Sequence, residues 1–262
     1  MIKKLINKLI KLFSPNHYNG RCGWKADMIC FHQTGGTSVT PALNYYMSPG
    51  AISPNWLIDT NGDIYQLVDP DNAAWCNGTR TTPGDPLYYG NSTLPLVKQR
   101  KTNANYYTYS IEFVHCQWGN INNKQIAAAV ELIKKVIIPH MKKNGVTPII
   151  DRNHLVGHSD IAPVARPNGS CPGKHFPYQQ IINCVLGKEK VPTDEPTEAF
   201  AVSDKVTIKT TATTYAGAGT SIKIPAAYKG SAHIYTIDKV SGEMSRLKEL
   251  FSWVWNKDLE KQ

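Results

Sequence analysis

Short apolar runs rich in Ile, Val, Phe and Tyr predict five strands in the larger, first part of the chain. The runs are residues 28–32, 55–59, 64–68, 107–114 and 154–157. The second and third runs are joined through Asn61-Gly62, which readily adopts the positive φ values of a tight turn, so they predict a hairpin.

Three segments repeat apolar residues at helical spacing, namely residues 40–47, 123–143 and 177–186. In the longest of them, Pro139 is expected to kink or break the helix. The last segment begins with Pro177 and stops before Gly187, as helices often do. Strands that alternate with helices predict an α/β domain around a mixed sheet.

The N-terminus predicts a basic amphipathic helix that ends near Ser14-Pro15. Its two faces are apolar (Ile2, Leu5, Ile6, Leu9, Leu12, Phe13) and basic (Lys3, Lys4, Lys8, Lys11). Such a helix either makes weak contact with an anionic membrane or packs on the following domain, and the second interpretation is favoured.

The composition changes after Gly187. Residues 188–200 are rich in Pro, Thr and charged side chains and predict a linker. The short β-type runs beyond it, separated by Gly and Pro, predict a small all-β barrel over residues 201–262. We therefore expect a first domain over residues 1–187, with the N-terminal segment 1–14 included, and a second, smaller domain.

A formal net charge of +9 and a pI near 9.2 indicate an anionic partner. No zinc-finger, RNA-recognition or arginine-rich signature favours nucleic acid, so a polyanionic cell wall is the preferred partner, and solubility alone is the alternative. No apolar stretch approaches the length of a membrane span. The six cysteines show no disulfide spacing and no secretory leader is recognised, which predicts synthesis in the cytoplasm and action after release.

Two histidines and a cysteine are the candidate metal ligands. His32 ends the first apolar run, His158 lies in the run Gly-His-Ser-Asp, and Cys171 precedes Pro-Gly. Imidazole and thiolate suit zinc, and three protein ligands leave a fourth position open for water, as in a catalytic zinc site. The sequence therefore predicts a zinc hydrolase.

Four motifs in order resemble the amidase-2 type of N-acetylmuramoyl-L-alanine amidases, which are related to T7 lysozyme and the peptidoglycan recognition proteins. The motifs are ICFHQT, YSIEFV, VGHSDIAP and SCPG, and the resemblance covers residues 25–186. It implies a zinc site of His32, His158 and Cys171, with Glu112 as the catalytic base. The late runs IKIPAAYKG and SWV are similar to the bacterial SH3-like domains of Gram-positive wall hydrolases.

The chain departs from the family pattern near the site. Many relatives carry a lysine where this chain has Gly169, so Arg166 or Lys174 is the candidate to stabilise the oxyanion. A histidine that is not a metal ligand in relatives is replaced by Cys76. The residues expected to bind substrate or the oxyanion are Arg166, Thr34, Asn55, Trp75 and Asn77. His115 is a weaker candidate ligand.

The resemblance implies hydrolysis of the amide between N-acetylmuramic acid and L-alanine in Gram-positive peptidoglycan, by a phage endolysin or an autolysin. The alternative is a recognition module that binds peptidoglycan without cleaving it. The small barrel is expected to bind a wall polymer, and dimerisation is its alternative role.

Overall fold

The computed structural model describes residues 8–114, 119–192, 200–216, 222–242 and 244–262. Contacts divide the chain into two compact units, Met1–Thr193 and Asp194–Gln262. No disulfide joins the cysteines within the described ranges. Among the helices of these ranges, none has the length and apolar character needed to cross a membrane.

A six-stranded mixed sheet forms the centre of the first unit, with the order β1-β5-β4-β7-β3-β8. The strands of the unit are β1 (Leu9–Lys11), β2 (His17–Tyr18), β3 (Met28–Gln33), β4 (Trp56–Ile58), β5 (Ile64–Gln66), β6 (Ala73–Ala74), β7 (Thr108–Phe113) and β8 (Leu155–Gly157). Neighbours among β4, β7, β3 and β8 are parallel, β4 and β5 form the predicted antiparallel hairpin, and β2 pairs with β6 outside the sheet. The predicted mixed sheet is confirmed.

Helices cover both faces of this sheet. They are α1 (Val39–Met47), α2 (Pro95–Arg100), α3 (Asn123–Leu132), α4 (Ile138–Lys143), α5 (His158–Ile161) and α6 (Tyr178–Val185). A π-helical turn, Ile133–Ile137, links α3 to α4 directly before Pro139. Because proline has no amide hydrogen and crowds the preceding turn, the widened turn is the expected response to it. The predicted helix over residues 123–143 is confirmed, with α geometry replaced by π geometry just before Pro139, and the kink stays a prediction.

The predicted N-terminal helix is wrong over the part that can be described. Strand β1 pairs in parallel with β5, with Leu9 opposite Ile64, and the amide of Ile64 donates to the carbonyl of Lys8. An open sheet edge offers unpaired backbone N–H and C=O groups, so a short segment gains hydrogen bonds by pairing with it as a strand. A short isolated helix, by contrast, is only marginally stable in water. Leu9 packs against the core while Phe13 stays exposed. Residues 1–7 of the predicted helix lie outside the described ranges.

The second unit is built around an antiparallel five-stranded sheet with the order β12-β11-β10-β9-β13. Its strands are β9 (Lys205–Ile208), β10 (Tyr235–Ser241), β11 (Met244–Leu247), β12 (Ser252–Trp255) and β13 (Leu259–Lys261). Val206, Ile237, Leu247 and Val254 are completely buried and form its core. This region is rich in β-structure, as the sequence predicts.

Candidate active site

The candidate site lies where the carboxyl ends of three parallel strands meet. His32 is the penultimate residue of β3 and is paired in register with Glu112, the penultimate residue of β7. His158 follows the end of β8 directly and begins α5. In open α/β sheets, this edge is where ligands usually bind.

Strand alternation explains why polar side chains are buried here. Phe31, Ile111 and Phe113 belong to the core cluster that also contains residues of α3 and α6. His32 and Glu112 alternate with these side chains and so project to the other face of the sheet. The apolar partners hold the two strands rigidly and fix the positions of the polar ones.

Ser159 links two segments of the site, namely the loop that contains Cys171 and helix α5, which begins at His158. The Ser159 amide donates to the Cys171 carbonyl at 2.9 Å, and the Cys171 amide donates to Ser159 Oγ at 3.1 Å. The chain approaches closely at Gly157, where a Cβ atom would clash with the Tyr178 hydroxyl and with Pro172. The motif Gly-His-Ser therefore combines a close approach, a ligand and a loop anchor.

Three buried donors, from His32, His158 and Cys171, have ligand atoms that all lie within 4.8 Å of one another. The distance from Cys171 Sγ to His32 Nδ1 is 3.6 Å. Bonds of about 2.3 Å to sulfur and about 2.1 Å to nitrogen at a tetrahedral angle separate the two atoms by about 3.6 Å. The donor set and its spacing therefore fit a zinc ion.

Both imidazoles are held neutral, which is the form that binds a metal. Burial lowers the pKa of His32 well below its usual range, and His158 and Arg166 add to the effect while Asn77 opposes it. Burial and Arg166 lower the pKa of His158 to about 3. In the described part of the chain, His32 Nε2 has no hydrogen-bond partner.

Glu112 is a buried carboxyl group beside the ligands. Its Oε2 lies 3.6 Å from Cys76 Sγ, and the Tyr46 hydroxyl is also hydrogen-bonded to it. Burial raises the pKa of Glu112 to about 8, although these two hydrogen bonds and the charge of Arg166 act in the opposite direction. A carboxylate with such a pKa can take up a proton at neutral pH.

A cleft of about 380 Å³ opens onto the ligands and Glu112. Thr34 and Arg166, two of the residues expected to bind substrate, line it. A second cavity of about 370 Å³ adjoins it along α1 and shares Gln33, Thr34, Ile52 and Glu112 with it. Lys174, the other candidate for the oxyanion, does not line either cavity.

The other three expected substrate contacts do not line these cavities. Asn55 is completely buried and its Oδ1 accepts a hydrogen bond from the Ser110 amide at 3.0 Å. Asn77 donates to Thr108 Oγ1 at 2.6 Å and lies beside His32. Trp75 packs edge-on against Tyr18.

Among the described residues, the remaining histidines do not belong to a group of donors that could hold a metal ion. His154 lies before β8 and its Nδ1 is 2.7 Å from Asp151 Oδ1. Because β8 runs only from Leu155 to Gly157, neither His154 nor His158 lies in this strand. His115 lies outside the described residues.

Sequence reasoning missed two partners of the site. The Tyr46 contact with Glu112 had no signal, because Tyr46 lies in α1, outside the four motifs. The sequence marks Cys76 as a replacement of histidine but does not predict its position against Glu112. Both contacts depend on how α1 and the segment after β6 pack over the strand ends.

Comparison with known proteins gives one family. The family model "N-acetylmuramoyl-L-alanine amidase" (Amidase_2) matches residues 23–174, which is more than half of the chain. No curated protein matches.

Solved structures also resemble the chain. N-acetylmuramoyl-L-alanine amidase LysC from Clostridium intestinale URNW shares 18% identity, covering 69% of this chain and 97% of its own, with a TM-score of 0.42. Ph2119 endolysin, from Thermus scotoductus MAT2119 bacteriophage Ph2119, shares 14% identity over 68% of this chain and 99% of its own, with a TM-score of 0.42. The hydrolase AmiA of Staphylococcus aureus shares 16% identity over 71% and 88%, with a TM-score of 0.43.

Proposed function

We propose that this chain, which belongs to the N-acetylmuramoyl-L-alanine amidase family, is a zinc enzyme. As an amidase it hydrolyses peptidoglycan, and Glu112 acts as its base. The bond cleaved joins the lactyl group of N-acetylmuramic acid to L-alanine. The observation that carries the proposal is the close set of His32, His158 and Cys171 beside this buried carboxyl group.

The three donors would hold the zinc ion. Their nitrogen and sulfur atoms suit it, both histidines are neutral, and His32 and Cys171 already have the separation of a tetrahedral site. When bound, zinc supplies an acidified water, with a pKa lowered to about 7, and a Lewis acid for the scissile carbonyl.

Glu112 moves the proton. Its carboxylate accepts the proton that the attacking water loses and passes it to the nitrogen of the departing L-alanine, so the products are a free carboxyl group and a free amine. In the metal-free protein the raised pKa favours the protonated form, and a zinc ion beside Glu112 would lower this pKa and favour the carboxylate that accepts the proton. Cys76 and Tyr46 hold the carboxyl group in place from two sides.

Arg166 and Thr34 are the proposed substrate contacts. Arg166 is exposed at the cleft and its charge acts on His32, His158 and Glu112, so it can stabilise negative charge on the carbonyl oxygen. Thr34 lines both cavities, and its hydroxyl, which donates to the Gly36 carbonyl at 3.2 Å, can accept a hydrogen bond from a peptide N–H. Asn55, Trp75 and Asn77 would act indirectly, by supporting the strands and loops around the cleft.

Product analysis tests the reaction. The full-length protein is incubated with purified Gram-positive peptidoglycan and the soluble products are analysed by mass spectrometry. We expect new L-alanine amino termini with intact glycan strands, loss of activity on chelation, and recovery with zinc. New reducing ends without new amino termini would falsify the amidase assignment, and activity that survives complete metal removal would contradict the zinc mechanism.

We also propose that residues 201–262 form an SH3-like domain that binds a wall polymer, joined by the linker 188–200 to the catalytic domain 1–187, in an endolysin or autolysin. The net charge of +9 and the compact β-rich second unit support this role. Removal of Asp194–Gln262 should preserve cleavage of soluble muropeptide and weaken sedimentation with intact walls. Unchanged sedimentation, with loss of a dimer in light scattering, would favour assembly instead.

A further inference from the structure

A second set of three buried donors surrounds Glu112. The ligand atoms of His32, Cys76 and Glu112 also lie within 4.8 Å of one another. Each of the three side chains belongs to a residue that is less than one-tenth exposed. The set overlaps the proposed zinc site only through His32.

The geometry of this set suits a metal ion as well as a hydrogen bond. Cys76 Sγ and Glu112 Oε2 are 3.6 Å apart. Bonds of about 2.3 Å to sulfur and about 2.1 Å to a carboxylate oxygen give this separation, about 3.6 Å, at a tetrahedral angle. The orphaned Nε2 of His32 adds a polar atom that no neighbour in the described ranges satisfies. A ligand set of imidazole, thiolate and carboxylate selects zinc or the softer cadmium over magnesium or calcium.

We propose that His32, Cys76 and Glu112 form a second cation position, which takes Zn²⁺ in excess or Cd²⁺. Binding releases to solvent the thiol proton of Cys76 and the proton that Glu112 holds when it is protonated, and both side chains become ligands. Because His32 serves both positions, the second cation also disturbs the first. Binding at this position follows from the geometry alone, whereas its inhibitory effect rests on the proposed function, in which Glu112 must be free to move a proton.

The binding test uses full-length metal-free protein titrated with Cd²⁺ in the Cys171→Ser background, which removes the thiolate of the first site. We expect a thiolate-to-cadmium charge-transfer band in the ultraviolet. Adding Cys76→Ser should abolish the band and weaken Cd²⁺ affinity more than about 100-fold, since a direct ligand is lost. Adding Glu112→Gln to the same background should also weaken the Cd²⁺ affinity. This result would distinguish the position from a site formed by His32 and His158.

Cys22→Ser in the same background is the matched control, because Cys22 is an exposed thiol and its removal should leave the band unchanged. A band of equal strength and affinity with and without Cys76 would overturn the proposal. So would the absence of any band in Cys171→Ser protein whose circular dichroism matches the wild type.

The consequence is tested separately. Excess zinc should inhibit the wild type at least about tenfold and should inhibit Cys76→Ser much less, each measured against its own activity at one equivalent of zinc. Equal inhibition of the two proteins would show that the second position does not control turnover. Absence of amidase activity at any zinc level would overturn the proposed function while the cadmium titration still decided the binding.

Discussion

Two polar clusters share strand β7 but provide different partners for their polar groups. The ligand cluster consists of His32, His158, Cys171 and Glu112. The arginine cluster consists of Arg21, Tyr109, His140 and Asp71. Tyr109 and Glu112 are three residues apart on the strand and therefore project to opposite faces of the sheet.

The arginine cluster satisfies most of its polar atoms internally. Arg21 Nε and Nη1 each donate to a backbone carbonyl at 2.9 Å, and its guanidinium lies 4.6 Å from the Tyr109 ring centroid. The Tyr109 hydroxyl is 2.8 Å from His140 Nδ1, and His140 Nε2 is 2.8 Å from Asp71 Oδ1. Burial shifts pKa values in both clusters, lowering that of Arg21 to about 10 and raising that of Glu112 to about 8. Each cluster also has a buried nitrogen without a partner among the described residues, Arg21 Nη2 in one and His32 Nε2 in the other. The ligand cluster differs because three donors that suit a metal ion lie within 4.8 Å of one another in it. The difference lies in the partners: backbone carbonyls, a tyrosine and a histidine surround Arg21, whereas the donors of the ligand cluster are spaced as the proposed zinc site requires.

The largest expected effect comes from removing a ligand. Cys171→Ala should lose stoichiometric zinc and reduce amide hydrolysis by more than about 10³-fold, because water activation and carbonyl polarisation are lost together. Zinc content by elemental analysis and turnover of a soluble muropeptide check this. Cys184→Ala, which alters a buried cysteine of α6 outside the site, is the control. Normal zinc content in Cys171→Ala would remove Cys171 from the site.

Glu112→Gln should separate the base from the metal. The amide has nearly the same shape but cannot accept a proton, so activity should fall about 10²- to 10⁴-fold while zinc content stays normal. Elemental analysis and turnover are measured on the same sample. Turnover close to the wild type would assign the base to another group.

The motifs predicted the ligand cluster because ligand chemistry and strand position coincide there. His32 ends an apolar run and His158 follows a short strand, so parallel strands bring both to one sheet edge. The partners of Glu112 were not predictable in this way, since the Tyr46 contact depends on the packing of α1 and is not encoded in a local pattern.

The N-terminus shows the opposite outcome, because a local pattern was present but tertiary pairing decided the structure. Leu9 fits one face of a helix, yet the open edge of β5 holds its segment as a strand. The arginine cluster was also missed. Its members are far apart in sequence, and Asp71 and His140 carry no motif.

Glu112→Gln should also change how the stability of the metal-free protein depends on pH. Burial raises the folded pKa of Glu112 from 4.5 to about 8. The contribution of Glu112 to the free energy of unfolding is therefore complete below pH 4.5 and is lost as the pH rises through 8. The wild type should therefore lose a few kcal/mol of unfolding free energy over this range relative to Glu112→Gln. Urea unfolding of the two metal-free proteins, at pH values from about 4 to about 9, measures this difference in unfolding free energy. Parallel curves for the two proteins would show that the carboxyl group is not desolvated.

Substitution of Arg21 in the arginine cluster should lower the free energy of unfolding, whereas Glu112→Gln should raise it relative to the wild type at high pH. Arg21→Met removes the donor from several backbone carbonyls that remain buried, so the protein should lose about 2 kcal/mol of stability. Zinc content and the rate per folded molecule should stay unchanged, because the cluster lies on the other face of β7. Urea unfolding and turnover are measured together. A stabilised Arg21→Met protein would mean that the cost of burying the guanidinium exceeds the value of its hydrogen bonds.

The smallest expected effect is at the solvent end of the arginine cluster. The hydrogen bond to His140 lowers the pKa of Asp71, but the Asp71 side chain is 64% exposed. Asp71→Asn should therefore cost less than about 1 kcal/mol at pH 7, because solvent screens the pair. A carboxyl group with a depressed folded pKa stabilises above its unfolded value of 3.8, and this contribution disappears as the pH falls below it. Urea unfolding of both proteins at pH 7 and pH 3, at about the same ionic strength, should thus show a small difference that vanishes in acid. A difference that persists at pH 3 would mean that Asp71 acts through packing rather than through its charge.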